Sequence, residues 1–176
     1  RQHAAKSDAS FKVLVVQEPP EVKSLSLEGF DLVLTWQERH LTGAELGQVE
    51  LFVPATPWLV SAEWPHFAKE KKLGLGFLRG NKRRTTGHKL RHQIWEVREQ
   101  LQQEMQVPLD FLEGGGMSRD ERNLQFFNSF VLVIENSKQR NYFSEKLLDA
   151  LLARCIPVYW GCPNIGDFFD VAGMVL

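Results

Sequence analysis

The sequence predicts an α/β protein of two lobes built on parallel strands, and three observations carry that expectation. First, residues 130–134 (FVLVI) and 155–159 (CIPVY) are short unbroken apolar runs. Between them Leu147, Leu148, Ala150, Leu151 and Leu152 fill one broad helical face, which together reads as a strand–helix–strand unit. Second, an apolar run at 73–78 leads through a basic loop into Leu90, Ile94, Val97, Leu101 and Met105, spaced as one face of a helix. Third, two further apolar runs near the N-terminus are set apart by a stretch rich in proline and charge. Alternation of this kind buries a parallel sheet beneath crossover helices.

Taken in order, a polar tail precedes a strand at 11–17 (FKVLVVQ), and Pro19 and Pro20 end it because proline has no ladder donor. Glu18 therefore stands on a loop at a strand's carboxyl end. A short helix or turn at 22–27 leads into a strand at 30–36 (FDLVLTW), a polar loop, and an apolar step at 51–54. These are too few elements for a complete doubly wound domain. The stretch 54–72 connects the lobes. The second lobe starts at residue 73, with a strand at 73–78, the loop 79–84, and a helix capped by Thr85 or Thr86 that continues to Met105. A strand at 108–112, a glycine break at 114–116, the strand–helix–strand unit and one further strand at 174–176 complete it.

Composition sets limits. With 176 residues, 43% of them hydrophobic and 24% charged, the chain suits one sizeable core or two modest ones. Lys plus Arg number 21 and Asp plus Glu 22, so no global field argues for nucleic acid or an anionic membrane, and any anion site must be local. Cys155 and Cys162 do not make a disulfide framework; they read as inert buried thiols in a reducing, cytoplasmic setting. The alternative setting is the lumenal domain of a longer membrane-anchored chain. No apolar run approaches the roughly 18 residues that a span requires, and the N-terminus reads as neither signal nor anchor. Peripheral membrane contact is left open.

Chemistry concentrates at the mouth of the helix after residue 134. Asn141 or Ser144 caps it, placing Tyr142, Glu145 and Lys146 in or beside its first turn, where free N–H groups and the dipole favour an anion such as a diphosphate. Arg79, Lys82, Arg83 and Arg84, followed by His88, Lys89 and Arg91, form the densest positive region and open another helix directly after a strand. Gly74, Gly76 and Gly80 depart from the dinucleotide-binding glycine spacing. His88 and His92 share the spacing of a zinc pair, but Lys89 stands where the catalytic Glu of that motif belongs; they read as helix-surface histidines. There is no D-x-D pair to hold a metal-bound sugar nucleotide, so no divalent metal is expected.

The run ENSKQRNYFSEKLLDALLARCIPVYWG, residues 135–161, resembles the donor-binding motif of the α-1,3-fucosyltransferases, glycosyltransferase family 10. A weaker N-terminal match joins it: Q-E-P-P, then Phe30, Asp31, Thr35 and Trp36, then Val53 and Pro54. The resemblance implies a GT-B arrangement, two Rossmann-like lobes facing across a cleft, with an acceptor-side lobe over 1–65 that is incomplete, a linker at 66–72 and a donor lobe over 73–176 that continues past this point in the family. It implies inverting transfer of fucose or a related sugar from a GDP-sugar to a hydroxyl of an oligosaccharide or other glycan, with no cofactor required. Glu18 is then the catalytic base, and Tyr142, Glu145 and Lys146 contact the donor. Asn136 and Ser144 complete the donor set, and Arg91, or failing it Arg84, matches the family's phosphate-binding arginine. Gln37, Glu38, Arg39 and His40 replace the family's Arg- and Asp-rich segment, so the acceptor stays open. The alternatives are a transferase using another nucleotide sugar and a non-catalytic nucleotide- or glycan-binding module.

Overall fold

The computed structural model describes residues 8–21, 26–42, 48–60, 63–69 and 71–176. The first sheet comprises β1 (Val13–Val15), β2 (Leu32–Thr35) and β3 (Gln48–Leu51), all parallel, in the order β1-β2-β3. Leu14, Val16, Leu27 and Val33 form its small core. A single helical turn, α1 (Glu38–Leu41), starts the stretch expected as a polar loop. The turn expected at 22–27 falls mainly outside the described residues.

A short helix, α2 (Trp64–Lys69), leads into the second sheet. Its strands are β4 (Lys72–Arg79), β5 (Leu109–Glu113), β6 (Asn128–Ile134) and β7 (Ile156–Trp160), parallel and ordered β5-β4-β6-β7. The final strand expected at 174–176 is reduced to one parallel bridge from Val175 to Val158. Helix α6 (Glu145–Leu152) crosses from β6 to β7. Leu147 and Ala150 are fully buried against Val131, Val133 and Tyr159, and Leu59 and Phe67 from the connecting stretch join the same core.

Two expectations need correction. The single helix from Thr86 to Met105 is two helices, α3 (Thr86–Glu96) and α4 (Arg98–Glu104), broken at Val97, whose ψ of 10° leaves the helical region. The apolar stripe is also not the inward face: Val97 is 44% exposed, while Gly87, His88, Arg91 and His92 are buried. The reason is what α3 packs on. Its first turns meet the carboxyl end of β6, where backbone groups need polar partners: Gly87 donates to the Asn136 carbonyl and Arg91 to that of Ile134. A helix α5 (Arg119–Asn123), absent from the sequence reading, precedes β6. Its capping box pairs Ser118 with Glu121.

Candidate active site

Parallel strands put their carboxyl ends at one edge, where loops and helix N-termini converge. Loops following β1, β2, β4 and β6 meet there and line a cleft of about 560 Å³. Glu18 and Trp36 enter from the first sheet; Lys82, His88, Arg91, Asn136 and the segment Tyr142, Ser144, Glu145 and Lys146 enter from the second. Seven of the eight residues anticipated for the site therefore share one cleft. Arg84 does not join them: it is exposed and outside the lining.

The start of α6 is held by a set of side-chain hydrogen bonds. Ser144 is the N-cap, with an extended backbone at φ −135°, and its Oγ accepts from the Lys146 N–H at 3.4 Å. The Lys146 ammonium donates to Ser144 Oγ at 3.1 Å and to Glu145 Oε1 at 2.8 Å. Burial alone would push the Glu145 carboxyl up, yet the Lys146 ammonium and local hydrogen bonds hold it below its ordinary range. Asn141 is not the cap. It takes a left-handed backbone at φ 59° and is bound to Asn164 through its N–H and side chain.

Across the cleft, α3 supplies cations. Arg91 donates from Nε and Nη2 to the Ile134 carbonyl at 3.1 and 2.7 Å and from Nη2 to Asn136 Oδ1 at 2.8 Å. Those bonds fix its guanidinium at the strand end. His88 is inward-facing, and its Nδ1 accepts from the Thr85 N–H at 3.2 Å to complete a capping box. Burial, reinforced by Arg91, Lys82 and Lys146, lowers the His88 imidazole to about 4. The expectation of surface histidines is thus corrected: His88 and His92 are each 4% exposed, and His92 spans the Arg79 guanidinium and the Lys82 carbonyl. Arg79 itself is spent on structure, paired with Glu113 and stacked on Trp95.

Glu18 is half-buried between Gln17 and a buried Pro19. Gln37, itself buried, donates from Nε2 to the Glu18 carbonyl at 3.3 Å and so ties the loop to the end of β2. The Tyr142 hydroxyl is pushed well above its usual value by burial and by the nearby Glu135, Glu18 and Glu145 carboxylates, so it stays a neutral phenol.

Three residues escaped the sequence reading of roles. Glu135 is fully buried and accepts from the Ser144 N–H at 2.8 Å and the Ser144 hydroxyl at 2.6 Å; the sequence marked it as a carboxylate ending an apolar strand and as the first residue of the donor-motif run, without giving it a role. Gln37 appeared only as a departure from the family pattern. Asp149, on the apolar side of α6, accepts from the backbone N–H groups of Trp58 at 2.7 Å and Leu59 at 3.0 Å, pinning the connecting stretch to the helix.

Solved structures share this architecture. A crystal structure of α1,3-fucosyltransferase with GDP-fucose aligns over 96% of this chain and 58% of its own, with a TM-score of 0.60 and 16% identity. The chain has the α1,3-fucosyltransferase fold. A second such structure, with GDP, aligns over 94% of this chain and 61% of its own at a TM-score of 0.58 and 16% identity. In sequence, the α-(1,3)-fucosyltransferase FucT of Helicobacter pylori is 33% identical over 70 residues, 35% of this chain and 15% of that protein. No protein-family model matches the chain. The fucosyltransferase-like chain spans less than two thirds of the length of each of these relatives. Its two parallel sheets with a cleft between them are the GT-B arrangement.

Proposed function

We propose that this cleft belongs to an inverting glycosyltransferase that moves fucose, or a related sugar, from a GDP-sugar to a hydroxyl of a glycan. What carries the reading is that a half-buried carboxylate, Glu18, and an ammonium at a helix N-terminus, Lys146, line one cleft from opposite sheets. The relatives solved with GDP-fucose and with GDP support the donor class. Glu18 takes the proton of the acceptor hydroxyl as its oxygen attacks the anomeric carbon, and the bond to the diphosphate breaks on the opposite face. Negative charge then grows on the departing phosphates. Lys146 uses two of its three donors on Ser144 and Glu145, and the third is available to a phosphate oxygen; Arg91 and Lys82 add positive charge beside it. Glu145 accepts from ribose hydroxyls, and Tyr142 donates as a neutral phenol. These side chains supply the counter-charge without requiring a divalent cation.

Calorimetric titration of GDP, with UDP as control, tests the reading. GDP-selective binding that weakens in Lys146→Ala is the expected result, with a loss of about 2–4 kcal/mol in kcat/KM for transfer. Absence of binding to either nucleotide overturns it, and GDP binding without transfer to any glycan acceptor leaves a nucleotide-binding module instead.

A further inference from the structure

We propose that Glu135 is a positioning residue: a buried counter-charge that, acting through Ser144, aims Lys146 into the cleft. The inference rests on the reading of Lys146 as the group facing the departing diphosphate and adds the residue that holds it there.

Glu135 sits at the carboxyl end of β6 with no exposed surface, and both its oxygens are spent on one residue. Oε1 accepts from the Ser144 N–H and Oε2 from the Ser144 hydroxyl. An ammonium can only donate, so in the contact between Lys146 Nζ and Ser144 Oγ the oxygen accepts. The hydroxyl proton is thereby left to point at Glu135. The chain Lys146 to Ser144 to Glu135 consequently has one direction, from cation to carboxylate. A Ser144 capping its helix without this partner could turn its proton elsewhere, and the Lys146 ammonium would be held by Glu145 alone.

Burying a carboxylate is costly unless charge and hydrogen bonds compensate. Burial raises the Glu135 carboxyl above its ordinary value, and the Lys146 ammonium and the two Ser144 bonds offset only part of that rise. The other charged and titratable groups that couple to it are Glu145 on α6, Arg91 on α3, Tyr142 in the loop and Tyr159 on β7. Two glycines also pack closely on it: a Cβ on Gly161 would lie 2.6 Å from Glu135 Cγ, and one on Gly87 only 1.7 Å from the Glu135 carbonyl oxygen. Backbone and side chain are enclosed on both sides. A group fixed this tightly transmits its orientation to whatever it holds.

Glu135→Gln keeps the shape and one acceptor but replaces the oxygen that takes the Ser144 proton with an N–H₂ donor. Two readouts test the proposal. In calorimetry, Glu135→Gln weakens GDP binding by about tenfold while guanosine, which has no phosphates, binds as in wild type; equal loss of both ligands overturns the proposal in favour of general damage, and unchanged GDP binding also overturns it. In the ligand-free protein, ¹⁵N signals of the unmodified lysine ammonium groups, with Lys146 assigned through Lys146→Arg, move at Lys146 in both Glu135→Gln and Ser144→Ala. A stationary Lys146 signal in a folded Glu135→Gln overturns it whether or not GDP binds. If wild type binds no GDP while the signal moves, the positioning stands and the proposed function falls.

Discussion

The indole of Trp36 lies against the phenol of Tyr142, with ring centroids 4.6 Å apart and planes tilted by 41°. Trp36 follows the last residue of β2 and Tyr142 precedes α6, so one aromatic pair joins the two sheets at the cleft. Trp36 is 1% exposed, and its indole N–H has no hydrogen-bond partner among the described residues. That makes two substitutions behave differently. Trp36→Ala is expected to cost about 3–5 kcal/mol, as large-to-small changes in a core do. Trp36→Phe is expected to cost about 1 kcal/mol, because it keeps an aromatic face for Tyr142 and removes the unsatisfied donor. Urea unfolding of both variants checks the order, and equal losses would mean that the ring contact contributes nothing beyond volume.

His88 predicts a specific loss of stability in acid. Its folded value of about 4 lies below the ordinary 6.5, so between those values the unfolded chain binds a proton that the folded chain does not. Stability is therefore fully present above pH 6.5, declines as the pH falls through this window, and levels off below about 4 as far as this group is concerned. The main structural reason is burial of the ring, followed by the nearby Arg91, Lys82 and Lys146 charges; a proton on Nδ1 would also oppose the Thr85 N–H. Gln at this position retains a capping-box acceptor without titrating. The slope of stability between pH 6.5 and 5, followed by thermal unfolding, should be shallower in His88→Gln than in wild type, and an identical slope would discount His88.

Asp149 holds two backbone donors of the connecting stretch. Asp149→Ala leaves the buried Leu59 N–H and the Trp58 N–H without that acceptor and should cost about 2 kcal/mol or more. Asp149→Asn keeps a carbonyl oxygen in place and should cost less than half as much. A guanidinium titration that finds the two variants equal would show that the ionised carboxylate, rather than its acceptor geometry, is what the loop needs.

Gly87 offers a test in which helix propensity and packing disagree. Alanine is the better helix former by about 1 kcal/mol. Here its Cβ would meet the Glu135 carbonyl oxygen at 1.7 Å, a backbone atom that cannot give way cheaply. Gly87→Ala is accordingly expected to destabilise by about 3 kcal/mol or more and to weaken GDP binding as α3 withdraws from β6. Tm and calorimetry measure both effects, and a stabilised variant would contradict the packing.

Local pattern was a sound guide to part of this molecule. Two apolar runs flanking a helical face specify β6, α6 and β7, because a buried strand and an amphipathic helix each leave their own periodicity. Glu18, Tyr142, Glu145 and Lys146 could be anticipated in the cleft because strand ends and helix starts, where unpaired backbone groups gather, are visible in the chain order, and because the resemblance to the donor-binding motif singled them out. Strands β1 and β2 were also legible as short apolar runs, although their ends were set more narrowly by pairing than the sequence suggested, whereas β3 overlaps the expected apolar step at 51–54 only at Leu51.

Tertiary structure decided which faces turn inward and what each charge is for. The stripe through Leu90, Ile94 and Val97 promised an apolar contact, yet α3 docks through His88, Arg91 and His92 because it meets a strand end whose carbonyls need donors. Neighbouring arginines parted in the same way: Arg79 pairs with Glu113, Arg91 reaches the cleft and Arg84 stays outside it. Glu135 read as the end of a strand and became a buried partner of Ser144 only once α6 folded back over β6. Hydrophobic periodicity is a property of consecutive residues and so survives in the sequence, whereas the partner of a polar group lies elsewhere along the chain and exists only after packing has brought the two together.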